Sequence, residues 1–221
     1  MVDPIDIVSK SLSEDRRLVE IVSNNIANVN SAGFKSVSAN KFYGGMADKI
    51  NLDSGKLVKT GRGLDLAIQG QGFFVINSGN EQLLTRNGSF QVNQDGYLVA
   101  GDGTSLVQGV SSGVFVGDES FVVDQEGRVI SEGKEIDKLA IFSPVGDVQP
   151  VGQGMYRTEV TEIAEKSYQI SQGSLEASNV DIASEMVQLM TAQKHFGLMQ
   201  RYFITYDSML KSGINKLGNS N

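Results

Sequence analysis

Residues 189–210 read LMTAQKHFGLMQRYFITYDSML, and their apolar members fall at Leu189, Ala192, Phe196, Met199, Phe203, Tyr206 and Leu210. Steps of three and four alternate along the run, the heptad seam by which one helix buries a stripe against another. The first segment carries a matching stripe at Ile5, Val8, Leu12, Val19, Val22 and Ile26, with Asp15 as its one polar break. Between these ends lies a Gly-rich, β-like middle. Such a chain is predicted to assemble through its ends; the two helices could pack on each other or on helices of other subunits, and an isolated end would leave its stripe wet and be mobile. Covering the stripes is worth on the order of 25 cal/mol per Å² of apolar surface.

Local signals set the boundaries. Asp3-Pro4 reads as a helix start, with Pro at the first helical position. The helical pattern runs to about Val29 and is stopped by Asn28-Val29-Asn30-Ser31-Ala32-Gly33, where Gly33 can take a positive φ. Residues 34–63, with Gly44-Gly45, Gly55, Gly61 and Gly63, predict an extended connector. From Leu64, short alternating or apolar runs (Leu64, Leu66, Ile68; Phe73-Phe74-Val75-Ile76) recur between turn signals such as Asn87-Gly88, Asp95-Gly96 and Asp102-Gly103. This spacing predicts an all-β domain over 64–149. A second connector is predicted over 150–178. A last helix follows over 179–221, capped by Asn179 or Asp181 and ending near Leu217. The expected fold is mixed α and β: an all-β central domain between a first helix over 1–33 and this last one, the two helices forming coiled-coil contacts on assembly.

At 221 residues and 40% hydrophobic content, the chain can build a core in one large domain or two small ones. The formal charge of −7 excludes nucleic acid as the main partner. The acidity lies in the middle, so the near-neutral ends can pack on copies of themselves without strong repulsion. The absence of cysteine excludes disulfides, thiolate catalysis and Cys-type zinc sites. No basic segment leads into an apolar run at the N-terminus, and no run approaches the ~20 apolar residues of a membrane span. The protein is therefore expected either in the cytoplasm or to leave by a route that reads an uncleaved N-terminus.

Residues that might carry chemistry have simpler readings. Gly70-Gln71-Gly72 has Val75 where a dinucleotide fingerprint needs a third glycine, and a strand follows it, so it reads as a turn or bulge. Asn93-Gln94-Asp95-Gly96 and Asp124-Gln125-Glu126-Gly127 lack the ligand spacing of a calcium loop and read as hairpin turns. His195, the single histidine, has no nucleophile or orienting acid at a suggestive spacing and reads as a helix-surface or interface residue. Nothing brings carboxylates such as Asp65 and Asp124 together for acid–base work. Phe196, Tyr202, Phe203 and Tyr206 read as packing residues. No catalytic residue, cofactor, metal or small-molecule substrate is expected.

The run Asn24-Asn25-Ile26-Ala27-Asn28-Val29-Asn30-Ser31-Ala32-Gly33-Phe34-Lys35 resembles the N-terminal signature of the bacterial flagellar rod and hook proteins. Leu64-Asp65-Leu66-Ala67-Ile68 through Gly72-Phe73-Phe74, then Thr85-Arg86-Asn87-Gly88-Ser89-Phe90, resembles that family's central block. Gly173 through Val187, with Glu176, Ser178, Asn179 and Val180, resembles its C-terminal block. The three matches keep the family's order and span most of the chain.

The resemblance implies a structural subunit of the basal-body rod, in the periplasmic space, with terminal helices in an inner tube and the β domain outside. It implies as partners other rod subunits, copies of itself and the flagellar type III export apparatus, with export by an uncleaved signal. The length leaves no room for the hook member's outer domain. The short connector after Gly33 favours a proximal over a distal place in the rod. The expected interface residues are Leu12, Val19, Val22 and Ile26 with Leu189, Phe196, Met199, Phe203, Tyr206 and Leu210. Asn24, Asn25, Asn28, Gly33 and Phe34, with Ser178, Asn179 and Val180, carry the family motifs. The rival classes are a secreted binding module whose helices merely dimerise, and an all-β enzyme, which would need a cleft of converging polar groups.

Overall fold

The computed structural model describes residues 4–42, 45–79, 81–117, 120–163 and 168–218, and these form two compact units. The first unit is helical. It comprises α1 (Pro4–Ala27), the hairpin of β1 (Val37–Phe42) and β2 (Gly45–Ile50, whose last residue counts with the second unit), and α2 (Ile182–Gly218). Pro4 opens α1, where its missing N–H is no loss. Of the two candidate caps for α2, Asp181 holds the position: its Oδ1 accepts from the Ala183 N–H at 3.1 Å.

Within this unit α1 packs on α2. Asn25 meets Glu185 and Asp15 meets His195, so a ten-residue step back along α1 matches a ten-residue step forward along α2. The helices are therefore antiparallel. At 1.5 Å per residue, the 24 residues of α1 span about 36 Å and the 37 of α2 about 55 Å. Val8, Ile21, Val22 and Ala192 are buried. Of the two partners open to the α1 stripe, the other helix of the chain and helices of other subunits, α2 of the same chain covers some of it. The first helix ends at Ala27, two residues short of the predicted stop.

The second unit holds the strands from β3 to β16 with Asn28–Ser36. Its main sheet has the order β13 (Ile141–Gly152), β14 (Met155–Ile163), β6 (Glu81–Thr85), β5 (Phe73–Ser78), β9 (Leu106–Val107), β8 (Leu98–Val99) and β7 (Gln91–Val92). Because β13 also pairs with β5 through Ile141↔Phe74, the strands β13, β14, β6 and β5 close a ring. A three-stranded sheet runs β10 (Phe121–Val123), β11 (Arg128–Ser131) and β12 (Lys134–Lys138). Two further pairs join distant segments: β4 (Leu66–Gly70) with β15 (Tyr168–Gln172), and β3 (Leu57–Lys59) with β16 (Ser174–Glu176). Leu66, Ile68, Phe74, Ile76, Phe90, Leu98 and Leu139 make a shared core, with the Phe74 and Phe90 rings edge to face.

The predicted connectors differ from this arrangement. Residues 150–178 are mostly strand, supplying the end of β13 and then β14, β15 and β16. Glycines at 152, 154 and 173 suggested a linker, but each takes a positive φ beside a strand and serves as a turn. Residues 37–49 of the first connector belong to the helical unit and 50–63 to the β unit. The turn predictions match their settings: Gly70 and Gly72 take positive φ between β4 and β5. The Asp124 Oδ1 accepts from the Glu126 and Arg128 N–H groups in the β10–β11 turn.

Candidate functional site

The chain's motif residues converge inside the β unit on one carboxylate. Glu176, the last residue of β16, is 1% exposed. Its Oε1 accepts from Lys35 Nζ at 2.6 Å and from the Gly55 N–H at 2.7 Å; its Oε2 accepts from Arg86 Nη1 at 2.9 Å. Lys35 and Arg86 are as deeply buried, at 1% and 2%. Backbone carbonyls take further donors, while the Arg86 Nε is buried without a hydrogen-bond partner among the described residues. Lys35 Nζ donates to Asp53 O, and Arg86 donates to Ile68 O and Gly70 O. The guanidinium lies 5.1 Å from the centroid of Phe73, whose ring meets Tyr156 edge to face. Tyr156 in turn accepts from the Lys35 N–H at 2.9 Å.

Burial governs the electrostatics. Desolvation pulls Lys35 below the usual lysine range, opposed by Glu176, and lowers Arg86 in the same way. It pushes Tyr156 up to about 12. Two cations and one carboxylate, bonded to one another and to backbone carbonyls and sealed from solvent, make an anchor rather than a reaction centre.

Turn geometry places the anchor's members. Gly33 takes φ 68°, and its N–H donates to the Glu176 carbonyl at 2.7 Å. A Cβ there would sit 2.2 Å from the Arg86 carbonyl carbon, so only glycine lets the two backbones touch. Phe34 is buried beside it. Asn179 accepts from the Ser36 N–H and donates to Asn51 O and Asp53 O. Ser178 Oγ accepts from the Val180 N–H, and Asn28 Oδ1 accepts from Ser31 Oγ.

The helical unit has its own polar clasp. Asn25 is fully buried; it exchanges two hydrogen bonds with the Val37 backbone and donates to Glu185 Oε1 at 3.0 Å. Asn24 lies on the exposed side of α1. Asp15, the polar break in the stripe, faces His195 Nδ1 at 2.6 Å.

Of the expected interface residues, Val22 is buried between elements of this unit, and Leu12, Val19, Ile26, Leu189, Met199 and Tyr206 are half-buried. Phe196, Phe203 and Leu210 are 42%, 48% and 46% exposed. Met186, Val187, Met190, Leu198, Ile204 and Met209 are exposed beside them. By the antiparallel register, α2 runs past Pro4 from about residue 207 onward, beyond the reach of α1. Among the described residues, no group of three or more His, Cys, Asp or Glu side chains is placed to hold a metal.

Sequence reasoning quoted Lys35, Arg86 and Glu176 as motif letters but did not bring them together, and it passed over Tyr156 altogether. A signal was available: a lysine, an arginine and a glutamate each embedded in an apolar or glycine-rich block.

Comparison with known proteins agrees with this geometry. Residues 10–35 match the profile of the family described as "Flagella basal body rod protein". Residues 67–131 match "Flagellar hook protein FlgE/F/G D1 domain", and 171–217 match "Flagellar basal body rod FlgEFG protein C-terminal". The chain is 28% identical to flagellar basal-body rod protein FlgG of Bacillus subtilis, over 89% of this chain and 92% of that one. It is 27% identical to flagellar basal-body rod protein FlgF of Caulobacter vibrioides, over 93% and 94%. Three residues of the anchor and its turn, Gly33, Lys35 and Glu176, fall within the first and last matched segments, and Arg86 within the middle one.

Proposed function

Since this chain belongs to the flagellar basal-body rod family and is a structural protein of that rod, we propose that it forms part of the proximal rod, polymerising through α1 and α2 to carry torque toward the hook. The observation that carries this reading is the row of exposed large apolar side chains along α2, from Met186 to Leu210. Exposed large apolar side chains gathered on one helix are the kind of surface that marks an interaction site. The subunit is read as crossing to the periplasmic space through the flagellar export apparatus without a cleaved signal. The proximal place rests on the short segment between Gly33 and Leu64. A distal place is the second reading, favoured by relatives named FlgG that match as well as those named FlgF.

The test is deletion of the chain in its own cell, with imaging of basal bodies and scoring of motility. Loss of the rod from its proximal end supports the proximal place. A short rod that stops before the hook moves the subunit to the distal one. Intact turning flagella overturn both. Phe203→Asp, at a half-exposed site, is expected to leave the β unit folded and to stop assembly; normal motility in that variant overturns the role of the α2 face.

A further inference from the structure

Glu185 stands out among the titratable groups that the assembly reading does not use. It lies in the first turn of α2, is 8% exposed, and is held by one bond to Asn25. Both N–H groups of the Asn25 amide are already committed, one to Val37 O and one to Glu185 Oε1. The second carboxylate oxygen, Oε2, is buried with no hydrogen-bond partner. Ile21 and Val22 are buried on α1 one turn before Asn25. An ionised carboxylate in this setting is left half-solvated, and a buried polar atom without a partner is costly. A protonated one loses the charge, and with it most of that cost.

We propose that the Asn25–Val37–Glu185 cluster is a proton-sensitive clasp, closed when Glu185 carries a proton and loosened when it ionises, so that α1 separates from α2 more readily as pH rises. Among the described residues, the groups that act on Glu185 are the neutral Asn25 amide from α1, itself bonded to the Val37 peptide of β1, and Asp181 at the start of its own helix. Among the described residues it makes no ion pair. Burial raises its ionisation above the ordinary carboxylate range, the Asn25 bond opposes this, and the Asp181 charge adds to it. The sign follows. A raised folded-state value means that stability is fully present below the unfolded value and is lost as pH rises through the folded one. The position of Glu185 near the positive end of the α2 dipole limits the effect without supplying a donor.

The experiment is amide exchange on the full chain from about pH 4.5 to 7.5, corrected for the intrinsic rate, read at residues 16–27 and 37–39. Protection in the wild type is expected to fall at least about threefold as pH rises across that window. Glu185→Gln and Glu185→Met are expected to abolish the slope, and Glu185→Met to raise protection at the upper end. Asp15 and His195 form the other side-chain contact between α1 and α2 described above, so His195→Gln is measured in parallel and is expected to keep the slope. A flat wild-type profile overturns the proposal, as does a slope that survives both Glu185 variants or disappears in His195→Gln.

Discussion

Lys35 Nζ lies 2.6 Å from Glu176 Oε1, across 141 positions of the chain and with both side chains 1% exposed. This contact, with Arg86 on the other oxygen, ties the segment that follows α1 to the segment that precedes α2 from within the β unit. Among the described residues Glu176 is the one carboxylate in an ion pair with either cation, and the Asp53 charge adds a weaker pull on Lys35.

Removing the carboxylate charge should therefore be severe. Glu176→Gln leaves Lys35 and Arg86 buried without the carboxylate they share. Breaking a buried pair in this way costs about 3–5 kcal/mol. Urea unfolding followed by Tyr and Phe signals of the β unit is the measurement. A loss under ~1 kcal/mol would show that the carbonyls at Asp53, Ile68 and Gly70 carry the cations unaided.

Gly33 separates two effects that glycine usually combines. Gly33→Ala meets both a left-handed backbone and the Arg86–Asn87 peptide, so about 2–5 kcal/mol is expected. Gly61 has φ 75° with nothing within 4 Å of its Cβ position, so Gly61→Ala should cost about 1–2 kcal/mol. Equal losses in the two variants would remove the close approach from the account.

Tyr156 should titrate apart from the other tyrosines. Its phenol is held up at about 12 by burial, against the ordinary value of 10.0. A raised acid contributes stability that is present below pH ~10 and lost as pH climbs through its folded value. Alkaline absorbance titration should show one phenol ionising late, and Tyr156→Phe should remove that late component. The same variant leaves the buried Lys35 N–H unpaired, at about 1–3 kcal/mol.

Asn179 and Ser178 are neighbours with unequal roles. Asn179→Ala removes bonds to Ser36, Asn51 and Asp53 and should lower stability by about 1–3 kcal/mol. Ser178→Ala removes one bond of 3.3 Å to Val180 and should stay within about 1 kcal/mol. Thermal unfolding of both variants decides the ranking; a larger loss at Ser178 would contradict it.

The terminal helices, the β middle and the family were readable in the residues themselves, because helix period, Asp-Gly and Asn-Gly turns, and the Asn24–Lys35, Leu64–Phe90 and Gly173–Val187 blocks are local patterns. Asp181 as cap and Gly33 as turn belong to the same class, each decided within a few residues. What pairs with what is not local. Only the tertiary structure placed β15 on β4 and β16 on β3, turned residues 150–178 from a linker into strands, and set Asp15 against His195 on an antiparallel helix. Lys35, Arg86 and Glu176 look in sequence like ordinary charged residues, which usually face water. Their burial follows from three distant segments meeting, where one carboxylate bonds two cations and backbone carbonyls take further donors; the apolar and glycine-rich blocks around them mark the three residues but do not encode which of them meet.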